Sequence, residues 1–356
     1  MKLLKYLKAA ARSAGREYLL DRYLKSAICS VKVGQPLPLD VSSIRGRYIL
    51  STEKGIFLII DDQLLNIFPY RTYGIALRGG DLYLSSIYGE HNYIFKTELS
   101  ILLEHLAPGD QVFFREIYHL KADIPARIHQ IGIHQDQLAV AKTSANAVAF
   151  LNLVTGEEES EIQPFVDFFG MPISGDHNHI NSVFSCGEVL LVGAYRAGDG
   201  SFIGAYHQGK ITGYRAGNEG LHGVYISDTD LYYGDTFGSE GKGYLMINNE
   251  PFDEPFFQSG DGFCIRGVCQ SGKERLVGHS HKGPRARRFD GPAFLLRCNQ
   301  DQVEECIEMP FAAIYDIMNT DGTYFDRPPL TTSWNEINQL LQATLGDPIY
   351  EHRIHS

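Results

Sequence analysis

Several features are scarce in this chain, and each scarcity removes a class of protein. The six cysteines (Cys29, Cys186, Cys264, Cys269, Cys298, Cys306) contain no CxxC pair, which argues against a zinc knuckle and for free thiols in a reducing cytoplasm. No apolar run approaches the roughly 18 residues that a membrane span needs. Near the N-terminus Lys5, Lys8 and Arg12 interrupt any apolar core of a signal peptide, so a cytoplasmic location is expected, with peripheral membrane contact left open. Positive charge is short as well. A net charge of −11 disfavours a nucleic-acid partner, because phosphate contacts need a basic surface. There is a single Trp, against 20 Phe, 20 Tyr and 36 Gly, a composition that suits many short strands joined by tight turns.

The basic residues that are present concentrate at the start. Residues 2–25 interleave Lys2, Lys5, Lys8, Arg12, Arg16, Arg22 and Lys25 with Leu3, Leu7, Ala11, Ala14 and Tyr18 at helical spacing. The pattern predicts an amphipathic helix over 1–30. It could pack on the outside of the domain, lie on anionic lipid or dock a protein partner.

From about residue 44 the period changes to that of strands, and a frame repeats. An aliphatic residue is followed by a tight turn, and a second apolar strand begins seven residues later. The aliphatics are Ile49, Ile75, Ile131, Val183, Val224 and Val268, and the last four recur every 41 to 52 residues. That period, with about four strands per unit, predicts an all-β fold, a six-bladed β-propeller spanning 44–318. A helical insertion is expected over Glu98–His105. The stretch FAAIYDIM (311–318) reads as a last strand that completes the first blade. A capping box, Ser333 with Glu336, opens a C-terminal helix from Trp334 to Thr344 within a tail over 331–356. The first two units lie only 26 residues apart, so the first blade reads as short.

In a propeller the first strand of each blade lines a central channel, and equivalent residues converge on one axis. The position two before each aliphatic reads Arg47, Tyr73, His129, Asn181, His222 and Arg266, and His179 precedes Asn181 on the same strand face. A polar ring of this kind either solvates a water-filled channel or forms a site. As a site, it offers imidazoles for acid–base, nucleophilic or metal chemistry and guanidiniums for anions. His129, His179, His222 and Arg266 are the catalytic candidates, and the three histidines are also candidate ligands for Fe, Zn or Cu. Arg47, Tyr73 and Asn181 are expected to hold substrate. His279 and His281, in the basic stretch GHSHKGPRARR, are expected at an anion-gathering rim. The ring contains no Asp or Glu, which argues against the carboxylate-rich calcium sites of lactonase- or phytase-like propellers.

The segment DHNHINSV (176–183) resembles the D-x-x-H-x-N-S segment of bacterial arylsulfotransferases. It is also similar to a looser set of six-bladed propeller proteins, some associated with cell-surface glycan clusters. The resemblance implies that His179 takes a sulfuryl group covalently, with His222 and Arg266 as its nearest supports. The Trp that often follows the motif Asp is replaced by His177 and Asn178. Two functions are therefore expected. One is a propeller enzyme acting in its central channel on a small anionic or glycan-like substrate, as a transferase, a lyase or a metal-dependent enzyme. The other is a non-catalytic binding or scaffolding propeller for a protein or saccharide, tethered by its N-terminal helix.

Overall fold

The structure is a computed structural model. It describes residues 28–354 except 89–90, 121–126, 167–170, 174, 196–199, 218–219, 237–242, 253–262, 282–288, 300–301, 326–328 and 330–331. The helix expected over 1–30 thus lies outside the described residues, apart from its last three, which are strand. No helix among the described residues is long and apolar enough to cross a membrane.

Six antiparallel sheets form the six blades of a propeller. Continuous apolar runs buried on both faces, as in Gly55–Ile60 and Val189–Ala194, together with two-residue turns account for their hairpins. Asp61–Asp62, Gly79–Gly80 and Asn248–Asn249 all have positive φ at both turn positions, the geometry that matches strand twist. Blades two to six begin with Thr72–Arg78, Ile128–His134, Ile180–Cys186, Leu221–Ser227 and Phe263–Ser271, and each of these strands is innermost. Two blades gain a fifth, outermost strand: Ile28–Lys32 joins blade two and Tyr350–Arg353 joins blade four.

Blade one differs from the reading of the repeat. Its innermost strand is Ile314–Asn319, which pairs with Tyr48–Thr52 and closes the ring. The Ile49 strand is therefore second, not first, and the 26-residue spacing follows because this stretch of chain supplies only three of the blade's four strands. Joining the two ends of the toroid within one sheet removes two open edges. Glu53 fixes the closure: its carboxylate accepts the backbone N–H groups of Ala312 and Ala313 at 2.6 and 2.7 Å.

The short helix Leu99–Glu104 follows the third strand of blade two. The C-terminal helix Trp334–Leu345 has the capping box Ser333–Glu336 and buries Ile337 and Leu341 against blades four and five.

Every innermost strand shifts register against its neighbour near its start. Tyr73, Asn181, Arg266 and Tyr315 are the unpaired residues in blades two, four, six and one. In blade three His129 and Gln130 together oppose Ala141, and in blade five Gly223, at φ +58°, follows His222 unpaired. Such bulges bend a strand and re-aim its side chains. Here the bulge recurs at the step that faces the axis.

Candidate functional site

The re-aimed residues meet at the end of the channel where the innermost strands begin. Tyr73, His129, Asn181, His222, Arg266 and Tyr315, one from each blade, surround a void of about 20 Å³ floored by Gln130, Ser182 and Gly223. Such a void has room for about one water. The contacts close into a ring. His129 stacks on Tyr73 at 4.8 Å between centroids, and Tyr73 lies 4.4 Å from Tyr315. The Arg266 guanidinium stands over Tyr315 at 5.2 Å and its Nε donates to Cys264 Sγ at 3.3 Å. Cys264 contacts Thr236 Oγ1 at 3.0 Å, which lies 3.4 Å from His222 Nδ1. The Tyr195 ring then links His222 at 5.5 Å to His179 at 5.4 Å, and His179 returns to His129 at 5.3 Å.

His179 is held in an unusual state. Asn178 is locked to Asn146 by a pair of hydrogen bonds, and the next residue, His179, takes a left-handed backbone (φ +57°). Its Nδ1 lies 2.7 Å from Asp176 Oδ1. With Nδ1 as the donor, the basic lone pair is on Nε2. A non-glycine residue at positive φ costs of order 1–3 kcal/mol and tends to occur at functional sites. His222 likewise has Nδ1 at 3.0 Å from the Gly220 carbonyl, which assigns its proton in the same way.

The mouth is electropositive. Burial drives the His129 imidazole well below its usual pKa, and His179, Arg266, His222 and Arg127 lower it further. No carboxylate among the described residues pairs with Arg266. Asn181 is partly committed to the fold, since its Nδ2 donates to the Leu221 carbonyl and its Oδ1 accepts from Ser182.

Three expected positions fall elsewhere. Arg47 is exposed, 3.6 Å from Asp61, because the Ile49 strand is second in its blade; Tyr315 takes its place in the ring. His279 has no exposure at all, lying inside the second strand of blade six between Ile265 and Phe294. His281 ends that strand with its ring against Gly291 and is not among the residues around the void, and 282–288 of the basic stretch lie outside the described residues. The metal expectation also lacks a donor set. No three His, Cys, Asp or Glu side chains among the described residues are arranged to hold an ion, and Tyr195 stands between His179 and His222.

Tyr315 was within reach of the repeat, since it lies two residues before Ile317 in the closing strand. Tyr195, Cys264 and Asp176 follow no repeat. Asp316, one step below the ring, is the acid of the strand Ile314–Asn319. It is fully buried and accepts hydrogen bonds from Tyr225 and the backbone N–H of Ile317, with the Tyr324 hydroxyl 3.0 Å from its other oxygen.

No protein-family model and no curated protein matches the chain. Solved propeller structures do. A protein of unknown function from Bacteroides caccae is 12% identical, with a TM-score of 0.50, over 77% of this chain and 98% of that one. A glucose dehydrogenase-like oxidoreductase of Thermus thermophilus is 13% identical, with a TM-score of 0.44, over 80% and 100%. The calcium-binding protein regucalcin of Agrobacterium tumefaciens is 13% identical, with a TM-score of 0.43, over 69% and 76%. At 12% identity the likeness to the first of these bears on fold alone.

Proposed function

We propose that the chain is an enzyme acting at the mouth of its central channel on a small anionic or glycan-like molecule. Arg266 and His129 receive the anionic group, and His179 carries the chemistry. The observation behind this reading is Arg266, a guanidinium set over a tyrosine ring, with other basic groups around His129 and no carboxylate among the described residues paired with it. A thiol and an aromatic face offset little of the cost of desolvating a guanidinium, and a bound oxyanion would offset more of it.

In this reading Asp176 holds the His179 Nδ1 proton and orients the ring, so that Nε2 acts as base or nucleophile. Tyr73, His222 and Asn181 shape the rest of the rim. The resemblance to arylsulfotransferases favours a sulfate or phosphate ester. Nε2 attacks the sulfur or phosphorus, the ester S–O or P–O bond breaks and the phenol or alcohol leaves. An acceptor hydroxyl or water then takes the group from Nε2 and frees the imidazole. The void inside the ring is water-sized, so the bulk of the substrate sits above it.

A panel of aryl and glycosyl sulfate and phosphate esters, assayed with wild type and His179→Ala, tests the proposal. The expected result is turnover by wild type that falls at least 10³-fold in a variant of unchanged melting temperature. Asp176→Asn should lower kcat by roughly 10- to 100-fold with KM nearly unchanged, as expected for an orienting group. Equal turnover by wild type and His179→Ala removes the histidine from the mechanism. A folded protein that binds such esters without turnover is instead a non-catalytic binding propeller.

A further inference from the structure

The opposite end of the axis carries a second cavity, chemically unlike the mouth. About 380 Å³ lies between the far ends of the innermost strands and the segment Gly322–Phe325. Small-molecule sites run roughly 300–1,000 Å³, and an apolar cavity of about 150 Å³ takes benzene, so this one has room for two fused rings. Leu77, Ile133, Val183, Phe184, Tyr324 and Phe325 supply most of its wall. The Tyr324 hydroxyl is engaged by Asp316 and the Ile75 carbonyl, so what Tyr324 offers the cavity is its ring.

One polar pair stands at the edge. Ser185 lines the cavity with its Oγ 3.0 Å from His134 Nδ1, the two coming from neighbouring blades. Ser185 also borders an adjoining space of about 400 Å³ over Arg78, Gln135 and Asp136. None of these groups brings net charge. Arg78 and Asp136 pair at 3.0 Å, and burial, with His207 nearby, lowers the His134 pKa to about 4, so its imidazole is neutral at pH 7. Water has few partners in such a space, whereas a flat apolar molecule regains contact area with the walls.

We propose that this lower cavity binds a neutral, one- or two-ring aromatic alcohol, its ring lying against the wall that Phe184 and Tyr324, themselves edge to face at 6.2 Å, form together, and its hydroxyl at the Ser185–His134 pair. A hydroxyl there can donate to or accept from Ser185 Oγ, and the apolar remainder sits where no charge must be desolvated. The inference is independent of the mouth and its anion.

The test uses 2-naphthol and naphthalene as probes, titrated into the full chain by fluorescence. One saturable 2-naphthol site per chain is expected. Filling the cavity with Ile133→Trp should weaken it at least tenfold, with folding checked by thermal melting. Leu77→Trp, at another half-buried wall position, repeats the filling test should the first variant not fold. Ser185→Ala should cost 2-naphthol roughly threefold to tenfold in affinity and leave naphthalene unchanged, the worth of one hydrogen bond. Arg266→Gln should change neither. No saturable binding by wild type, undiminished binding in a folded filling variant, or equal 2-naphthol affinity in Ser185→Ala would each overturn the proposal.

Discussion

Asp316 is a fully buried carboxyl whose chemistry departs far from its type. Burial pushes its carboxyl from the ordinary 3.8 up to about 7, against hydrogen bonds from Tyr324, Ile75, Tyr225 and Gln130 that pull it down. The geometry at Oδ2 fits the protonated form. The Tyr324 hydroxyl has one proton yet lies 3.0 Å from both Asp316 Oδ2 and the Ile75 carbonyl. A protonated carboxyl resolves this, donating to Tyr324 while Tyr324 donates to Ile75. Because the folded pKa exceeds the unfolded one, the stability gained from this group is full below about pH 4. It declines as pH rises toward 7 and stays lost above that. Asp316→Asn, neutral at every pH, should therefore gain on wild type by on the order of 2–4 kcal/mol between pH 4 and pH 8. Urea unfolding of both proteins at the two pH values measures it, and parallel pH profiles would contradict it. Nothing in the order of residues marked Asp316, since a lone acid in FAAIYDIM reads equally as an exposed position. Its burial is set by strands from other blades.

The element that decides the architecture is the closing strand Ile314–Asn319. Its role as the last strand of blade one was legible in the sequence, but its place as the innermost one was not. Every hairpin of a blade has the same apolar rhythm, so Tyr48–Thr52 fits the repeat as well as a true innermost strand does. Which strand faces the axis is settled by a pairing between residues more than 260 apart, and local pattern carries no trace of that. The same ambiguity put Arg47 in the ring and left Tyr315 out. Glu53 holds this strand's approach by accepting the two buried N–H groups of Ala312 and Ala313. Glu53→Ala leaves both without that acceptor and should cost about 2–4 kcal/mol. Chemical denaturation checks this, and a loss under 0.5 kcal/mol would show that closure does not depend on the carboxylate.

For the molecule as a whole, radial symmetry turns a weak repeat into a site. His129, His222, Arg266, Tyr73 and Asn181 could be named from spacing alone because six equivalent steps must meet on one axis. His179, expected on the strand face of Asn181, instead precedes that strand with a left-handed backbone. Tyr195 and Asp176 also occupy loops above the ring, and the repeat says nothing of their distances. A chain of net charge −11 thus gathers guanidinium and imidazole groups at one end of its axis and apolar walls at the other. Anion affinity at the mouth should fall with added salt. It should also rise as pH drops from 8 to 5, because a bound anion favours the charged form of His129, which the empty site holds neutral.

The most direct test is a calorimetric titration of inorganic sulfate and phosphate into wild type and Arg266→Gln at low ionic strength. One site per chain is predicted, with affinity at least tenfold weaker in the folded variant and tighter at pH 5 than at pH 8. Absent binding, or equal binding by the two proteins, would contradict an anion-receiving mouth.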